Sequence, residues 1–216
     1  MVIAIDGPSG SGKTSTAKLL AKKINFYYCD SGSLYRAVTY HLIGKKVDLD
    51  DTLRIVNELN SLDIEYDITS NTINLNNTNI TNYLRSDEVT KNVSKVSSMK
   101  LVRDFLITSQ RELGECNNII VDGRDIGTTV FPRADYKFYL DAEIETRARR
   151  RFDEINIEGN QHNYKSILEM MQKRDSYDQN RNCSPLRKAA DAISIDTTAL
   201  SLEEQVDKII CIINNN

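Results

Sequence analysis

The sequence predicts an α/β fold, a five-stranded parallel sheet flanked by helices, and three observations carry that expectation. Five short apolar runs without alternation are separated by stretches of helical period, as expected of strands covered on both faces. Each run ends in an aspartate, which lines the carboxyl edge of the sheet, where open α/β folds bind ligands, with carboxylates. The first run leads directly into a glycine-rich turn and then a helical pattern. A length of 216 residues suits one domain, or one core with insertions; a chain of this size buries roughly 70% of its unfolded surface and needs no disulfide or metal staple.

The runs span residues 2–5, 26–29, 119–121, 136–140 and 192–195, ahead of Asp6, Asp30, Asp122, Asp141 and Asp196. Ala17, Leu20, Ala21 and Ile24 follow the i, i+3, i+4, i+7 spacing of a helix face after the first run. Val206, Ile209, Ile210 and Ile213 repeat it near the end, with Ser201 and Glu204 forming a capping-box pattern ahead of them. Residues 62–82 break this rhythm. Ile64, Tyr66 and Ile68 alternate, residues 69–72 offer a turn, and Ile73 and Leu75 alternate again, which reads as an antiparallel hairpin inserted into the parallel architecture. The asparagines of this stretch leave a floppy loop as the alternative.

Cys29, Cys116, Cys183 and Cys211 form no C-x-x-C pair, and only His41 and His162 supply imidazole, so no zinc cluster is expected and the cysteines read as free thiols of a reducing compartment. With 28 Lys and Arg against 31 Asp and Glu, the net charge of -3 argues against nonspecific nucleic-acid or membrane-surface binding. The four-residue apolar start is too short for a signal peptide, and residues 209–213 are far short of a bilayer span. The expectation is a cytoplasmic, monomeric protein with no nucleic-acid and no membrane partner.

Gly7-Pro8-Ser9-Gly10-Ser11-Gly12-Lys13-Thr14 matches the G-x-x-x-x-G-K-[ST] phosphate loop in full, between an expected strand and an expected helix. The glycines let backbone N–H groups turn toward phosphate oxygens, and the helix beginning near Lys13 and Ser15 adds the positive end of its dipole. Lys13 can bridge β- and γ-phosphates, and the Thr14 hydroxyl can ligate Mg²⁺. A guanine-specific switch would want an N-K-x-D tetrad, which the sequence lacks. A phosphotransferase needs a second pocket for its acceptor.

That pocket is foreshadowed by Asp30-Ser31-Gly32-Ser33-Leu34-Tyr35-Arg36 after the second run and Asp122-Gly123-Arg124-Asp125-Ile126-Gly127-Thr128 after the third. With the phosphate loop, Arg174-Asp175, Asp178, Asn180-Arg181, Ser184-Pro185-Leu186, Ala190-Asp191-Ala192 and Ile195-Asp196-Thr197-Thr198, these segments closely resemble the bacterial cytidylate kinases from residue 3 to residue 204. The resemblance implies that ATP with Mg²⁺ occupies the phosphate loop and that CMP or dCMP is the acceptor. It places Ser31, Arg36, Ser94, Arg103, Arg124, Asp125, Arg174, Asp178 and Arg181 around the monophosphate nucleotide.

The residue types agree. Arginine forks bind phosphate oxygens in pairs, and Arg36 and Arg124 are the first candidates. A carboxylate accepts from the exocyclic amine of cytosine and repels the carbonyl of uracil, which makes Asp125, with Ser94, the expected base reader and UMP the disfavoured acceptor. Arg174, Asp178 and Arg181 share a helix face by spacing; the resemblance gives that face the ribose and α-phosphate, where spacing alone allows a salt-bridged surface helix. The family usually has arginine where Tyr177 stands.

Arg147, Arg149, Arg150 and Arg151 are the densest positive charge of the chain. Arg149 is accounted for by Glu145 four residues earlier, whereas Arg147, Arg150 and Arg151 share a face beside the stretch 156–163. The resemblance makes this the lid of a nucleoside monophosphate kinase, with Lys13, Arg124, Arg147 and Arg151 as the catalytic cations. Asp122 either orients Mg²⁺-bound water or caps its turn. The expected division is a core of about residues 1–58, 83–145 and 164–216, a monophosphate-side insertion of about 59–82, and a short helical lid of about 146–163.

Overall fold

The computed structural model describes residues 1–157 and 163–215. Its centre is β1 (Val2–Asp6), paired in parallel with β6 (Ile119–Gly123) on one side and β7 (Tyr136–Asp141) on the other. Outward lie β2 (Tyr27–Asp30) beside β6 and β8 (Ile193–Asp196) beside β7, giving the order β2-β6-β1-β7-β8. All five expected runs are strands of one parallel sheet, and the aspartates Asp6, Asp30, Asp122, Asp141 and Asp196 gather at its carboxyl end.

Both faces of the sheet's centre are covered, as the apolar runs of β1 and β6 require, while edge strand β8 buries only Ile195. Ile3, Ile5, Ile120, Phe138 and Ile195 face α1 (Lys13–Ile24) and α8 (Leu202–Asn214), packing with Ala17, Leu20, Val206 and Ile209. Ala4, Ile119 and Val121 point the other way, where α5 (Lys100–Cys116) sends Leu113 against them. Buried Leu, Ile, Val and Phe side chains of this kind each contribute roughly 1.5–3 kcal/mol. The expected capping box at α8 is present, with Ser201 and Glu204 satisfying each other's backbone N–H groups.

The remaining α-helices among the described residues are α2 (Ser31–Gly44), α3 (Thr52–Asn60), α4 (Asp87–Ser97), α6 (Ile144–Ile157) and α7 (Tyr164–Asn180). The hairpin at 64–75 is ordered and antiparallel, β3 (Ile64–Asp67) against β4 (Thr72–Leu75), and it gains a short third strand, β5 (Thr78–Asn79), that the alternation does not foreshadow. Asn71, Asn76 and Asn77 adopt positive φ of 54°, 48° and 62° at its turns, a conformation asparagine tolerates better than most residues. The asparagine richness of this stretch thus serves tight turns. This sheet packs through Ile73 and Leu75 on α2, α3 and α5 in a second core with Val38, Leu42, Ile55 and Leu106. Much of the stretch 156–163 lies outside the described residues.

Candidate active site

The phosphate loop turns between β1 and α1 at the carboxyl edge of the sheet. Gly7 stands so close to β7 that a Cβ there would lie 2.1 Å from the carbonyl oxygen of Leu140. Gly12, at φ 87°, is the N-cap of α1 and brings no side chain to cap it, so the donors of the first helical turn stay directed at the loop. Ser11 is buried, and its carbonyl accepts a hydrogen bond from the Thr197 hydroxyl at 2.9 Å, tying the loop to the end of β8. Pro8 accepts the Lys13 ammonium at 3.1 Å.

Beside the loop opens a cavity of about 830 Å³. Ser9, Gly10, Gly12, Lys13, Thr14 and Ser15 line one part of it; Ser31, Arg36, Ser94, Arg103, Arg124, Asp125, Arg174, Asp178 and Arg181 line another. Every residue expected around the acceptor therefore reaches one space, although the set comes from α2, α4, α5, the turn after β6, α7 and its C-cap.

Two regions of the cavity differ in how their charges are partnered. Lys13, Arg36, Arg124 and Arg174 crowd one region together with Arg85 and Arg151. Burial, then the Arg124 guanidinium, pulls Lys13 well below its ordinary range. Burial and Arg174 bring Arg36 down to about 10, and burial and Arg124 do the same to Arg174. Cations that weaken one another favour an anion between them. Arg36 is held by the Leu84 carbonyl and the Thr90 hydroxyl, and Arg124 by Asp178 at 3.0 Å. Arg174 Nε is buried with no hydrogen-bond partner among the described residues.

At the other end, Asp125 is only 3% exposed and lies between two arginines. Arg103, 1% exposed, donates to one of its oxygens, and Arg181 stands 3.7 Å from the other. Arg103 also donates to the Ser97 carbonyl and lies over the Tyr35 ring. Asp6 supports this corner from β1, accepting the backbone N–H groups of Ile126 and Gly127 at 2.8 and 2.7 Å. Burial pushes the Asp6 carboxyl up to about 7, against the pull of those two donors.

The arginines of α6 divide. Arg150 and Arg151 line the cavity. Arg147 is not among the lining residues: its Nε donates to the Ala142 carbonyl and its Nη1 to the Ser9 carbonyl and the Asp175 carboxylate. Arg147, expected among the catalytic cations, is anchored to the phosphate loop and to α7, because helical spacing fixes the face of a side chain and not the partner it finds. Arg147 props the phosphate loop from below. Arg149 lies over the rings of Tyr164 and Phe152.

Asp122 is neither solvent-facing nor a turn cap. Its oxygens accept the Thr14 hydroxyl at 2.8 Å and the Tyr28 phenol at 2.7 Å. Burial and Asp30 push its carboxyl up, and Lys13 opposes them.

A phosphate loop and an arginine-lined second pocket on one sheet edge can be set beside known proteins. The family model described as cytidylate kinase matches residues 3–215. The chain belongs to the cytidylate kinase family. A cytidylate kinase of Halalkalibacterium halodurans is 46% identical over 97% of this chain and 96% of its own length, and one of Bacillus subtilis is 42% identical over 96% and 94%. The chain is thus a kinase, a nucleotide-binding transferase. Among solved structures, a gluconokinase from Sinorhizobium meliloti shares the fold at a TM-score of 0.51 and 13% identity, over 99% of this chain and 91% of that one.

Against the usual cytidylate kinase pattern, Tyr177 turns away from the cavity, its phenol paired with the Ser98 hydroxyl at 2.9 Å. Several lining residues carry no motif of their own: Arg85, Arg150, Leu200, Leu202 and Gln205. Arg150 stood in a visible arginine cluster, and the capping box at Ser201 marked the approach to Gln205. Nothing in the local sequence around Arg85 marks it. Gln205 holds Thr16 at 2.7 Å, and its Oε1 would be 2.9 Å from a Cβ on Gly12.

Proposed function

We propose that the chain transfers the γ-phosphoryl group of ATP to CMP and dCMP, giving ADP with CDP or dCDP, as a monomer in the cytoplasm. The observation that carries this reading is the cavity itself, with a complete phosphate loop at one end and a buried, arginine-flanked carboxylate at the other. Among the described residues no helix is long and apolar enough to cross a membrane.

Phosphoryl transfer spreads negative charge over the moving group, so catalysis is chiefly positioning and electrostatic stabilisation. Lys13 and the loop N–H groups hold the donor phosphates. Arg36, Arg124 and Arg174 hold the acceptor phosphate, whose attacking oxygen is already anionic and asks for no general base. Asp125 accepts from the cytosine amine, with Ser94 beside it, and Arg103 and Arg181 hold that carboxylate in place. Asp178 orients Arg124. The Thr14 hydroxyl donates to Asp122, which leaves its oxygen lone pairs free, a hard donor suited to Mg²⁺. Among the described residues no group of three His, Cys, Asp or Glu could hold a metal, consistent with a cation carried largely on nucleotide phosphates. When bound there, Mg²⁺ neutralises charge on the transferring phosphates. Closure of a lid at about residues 146–163, led by Arg151, and of the insertion at about 59–82 excludes water from the transfer.

The test is incubation of purified protein with Mg-ATP and, separately, CMP, dCMP, UMP, AMP or buffer, following ADP and nucleoside diphosphate. CMP and dCMP are expected to lead. Greater turnover of UMP or AMP would overturn the acceptor, and ADP release without any acceptor dependence would overturn the kinase reaction.

A further inference from the structure

The hydrogen bond from Thr14 to Asp122 is one link of a longer chain. Asp122 is 2% exposed, and its two oxygens are held from different directions, Oδ2 by Thr14 on α1 and Oδ1 by the phenol of Tyr28 on β2. Strands β2 and β6 run in parallel with Tyr28 opposite Ile120 and Asp30 opposite Asp122, so the Tyr28 side chain reaches along the sheet to a carboxylate two residues further on. Tyr28 is itself 5% exposed, with Lys18 Nζ 5.6 Å from its ring centre.

A carboxylate gripped at one oxygen alone can rotate about its own bond; gripped at both, it cannot. The distinction matters because a hydroxyl has one proton and two lone pairs. Only with its proton turned to Asp122 does Thr14 present both lone pairs to the cavity. A freely turning Asp122 could swing toward Lys13, whose charge acts on it, and leave the Thr14 proton undirected.

We propose that Tyr28 is a positioning residue for the metal–nucleotide complex: by locking Asp122 it sets the hydrogen-bond direction of the Thr14 hydroxyl and thereby the affinity of that oxygen for Mg²⁺. This rests on the reading of Thr14 as the Mg²⁺ ligand. Groups that hold a ligand from behind typically change metal affinity by about 10–100-fold when removed, and Tyr28 acts through two intervening groups, which places its effect at the lower end, about tenfold.

The experiment uses the full chain and its Tyr28→Phe variant, which keeps the ring and its volume. Calorimetric titration with ADP is run in EDTA and then at graded Mg²⁺. The expected result is metal-free ADP affinity within about twofold of the unmodified chain, with the Mg²⁺ concentration for half-maximal tightening raised about tenfold. Turnover at saturating Mg²⁺ should recover to within about twofold, since the loss is one of metal occupancy. An unchanged Mg²⁺ midpoint overturns the proposal. So does an equal loss of ADP affinity with and without metal, or failure of the variant to fold, since either marks Tyr28 as structural only. If ADP binding by the unmodified chain does not respond to Mg²⁺, the reading of Thr14 itself fails, and the proposal with it.

Discussion

The two ends of the cavity are built in opposite ways. The donor end comes from one contiguous segment, residues 7–15, whose shape depends on backbone: close approach at Gly7 and positive φ at Gly12. The acceptor end comes from side chains on α2, α4, α5, α7 and the turn after β6, held by pairs such as Asp125 with Arg103 and Arg124 with Asp178. A backbone cradle is complete whenever the strand and helix on either side of it are. A side-chain pocket holds cations that repel one another until an anion arrives. The donor end should therefore fail by losing chemistry, and the acceptor end by losing selectivity and stability together.

The sharpest break is at Lys13. Lys13→Met should lower kcat by about 10²–10³-fold, the range for loss of one preorganised transition-state donor. Its thermal midpoint should not fall, because a buried cation repelled by Arg124 has been removed. A stability loss equal to that of an acceptor-end variant would erase the contrast.

Next comes Asp125→Ala, which should narrow the CMP-over-UMP ratio of kcat/KM by about tenfold or more, one good base contact being worth 1–3 kcal/mol. It should also destabilise the fold by about 3–5 kcal/mol, since Arg103 and Arg181 lose their buried partner. An unchanged ratio would remove Asp125 as base reader.

Arg147 and Arg151, four residues apart on α6, separate prop from reactant. Arg147→Ala should destabilise by about 3 kcal/mol, leaving Asp175 without its partner, whereas Arg151→Ala should lower kcat and leave denaturant midpoints unchanged to within about 0.5 kcal/mol. Equal stability losses would place both arginines in one role.

A smaller effect is a pH slope. Asp6 keeps its proton to about 7 in the folded state and to an ordinary carboxylate value when unfolded, so the folded chain binds more protons between those limits. Stability relative to Asp6→Asn should fall as pH rises from about 4 to about 7 and level off above, as read by urea titration. Smallest of all, Tyr177→Arg should leave kcat within about twofold, because that position faces Ser98 and lies at the surface.

The same division explains what the sequence discloses. The phosphate loop is legible because all its parts lie within eight residues and each has a backbone reason to be there. The three inner strands and β2 are legible because their buried runs are almost wholly apolar, whereas edge strand β8, mostly exposed, is marked by Ile193, Ile195 and the aspartate that follows. The short strand Thr78–Asn79 is not, since two exposed polar residues carry no period. Arg147 and Arg174 look equivalent as letters. One donates to Ser9, Ala142 and Asp175, and the other keeps a buried Nε without a partner among the described residues; only the packing of α6 on α7 tells them apart. Tyr28 reads as one more apolar strand residue, and its phenol matters because a neighbouring strand brings Asp122 within reach.

The placement of β1 also constrains the order in which the molecule can be assembled. Val2 pairs with Ile119, and Ile3 with Tyr136, so the strand that carries the phosphate loop has no neighbour until β6 is available and is flanked on both sides only once β7 follows. Such distant pairings close long loops and slow folding. The segment 7–15 is made more than a hundred residues ahead of the strands that pair with its own. The part of the site written most plainly in the sequence is thus among the later parts to take shape.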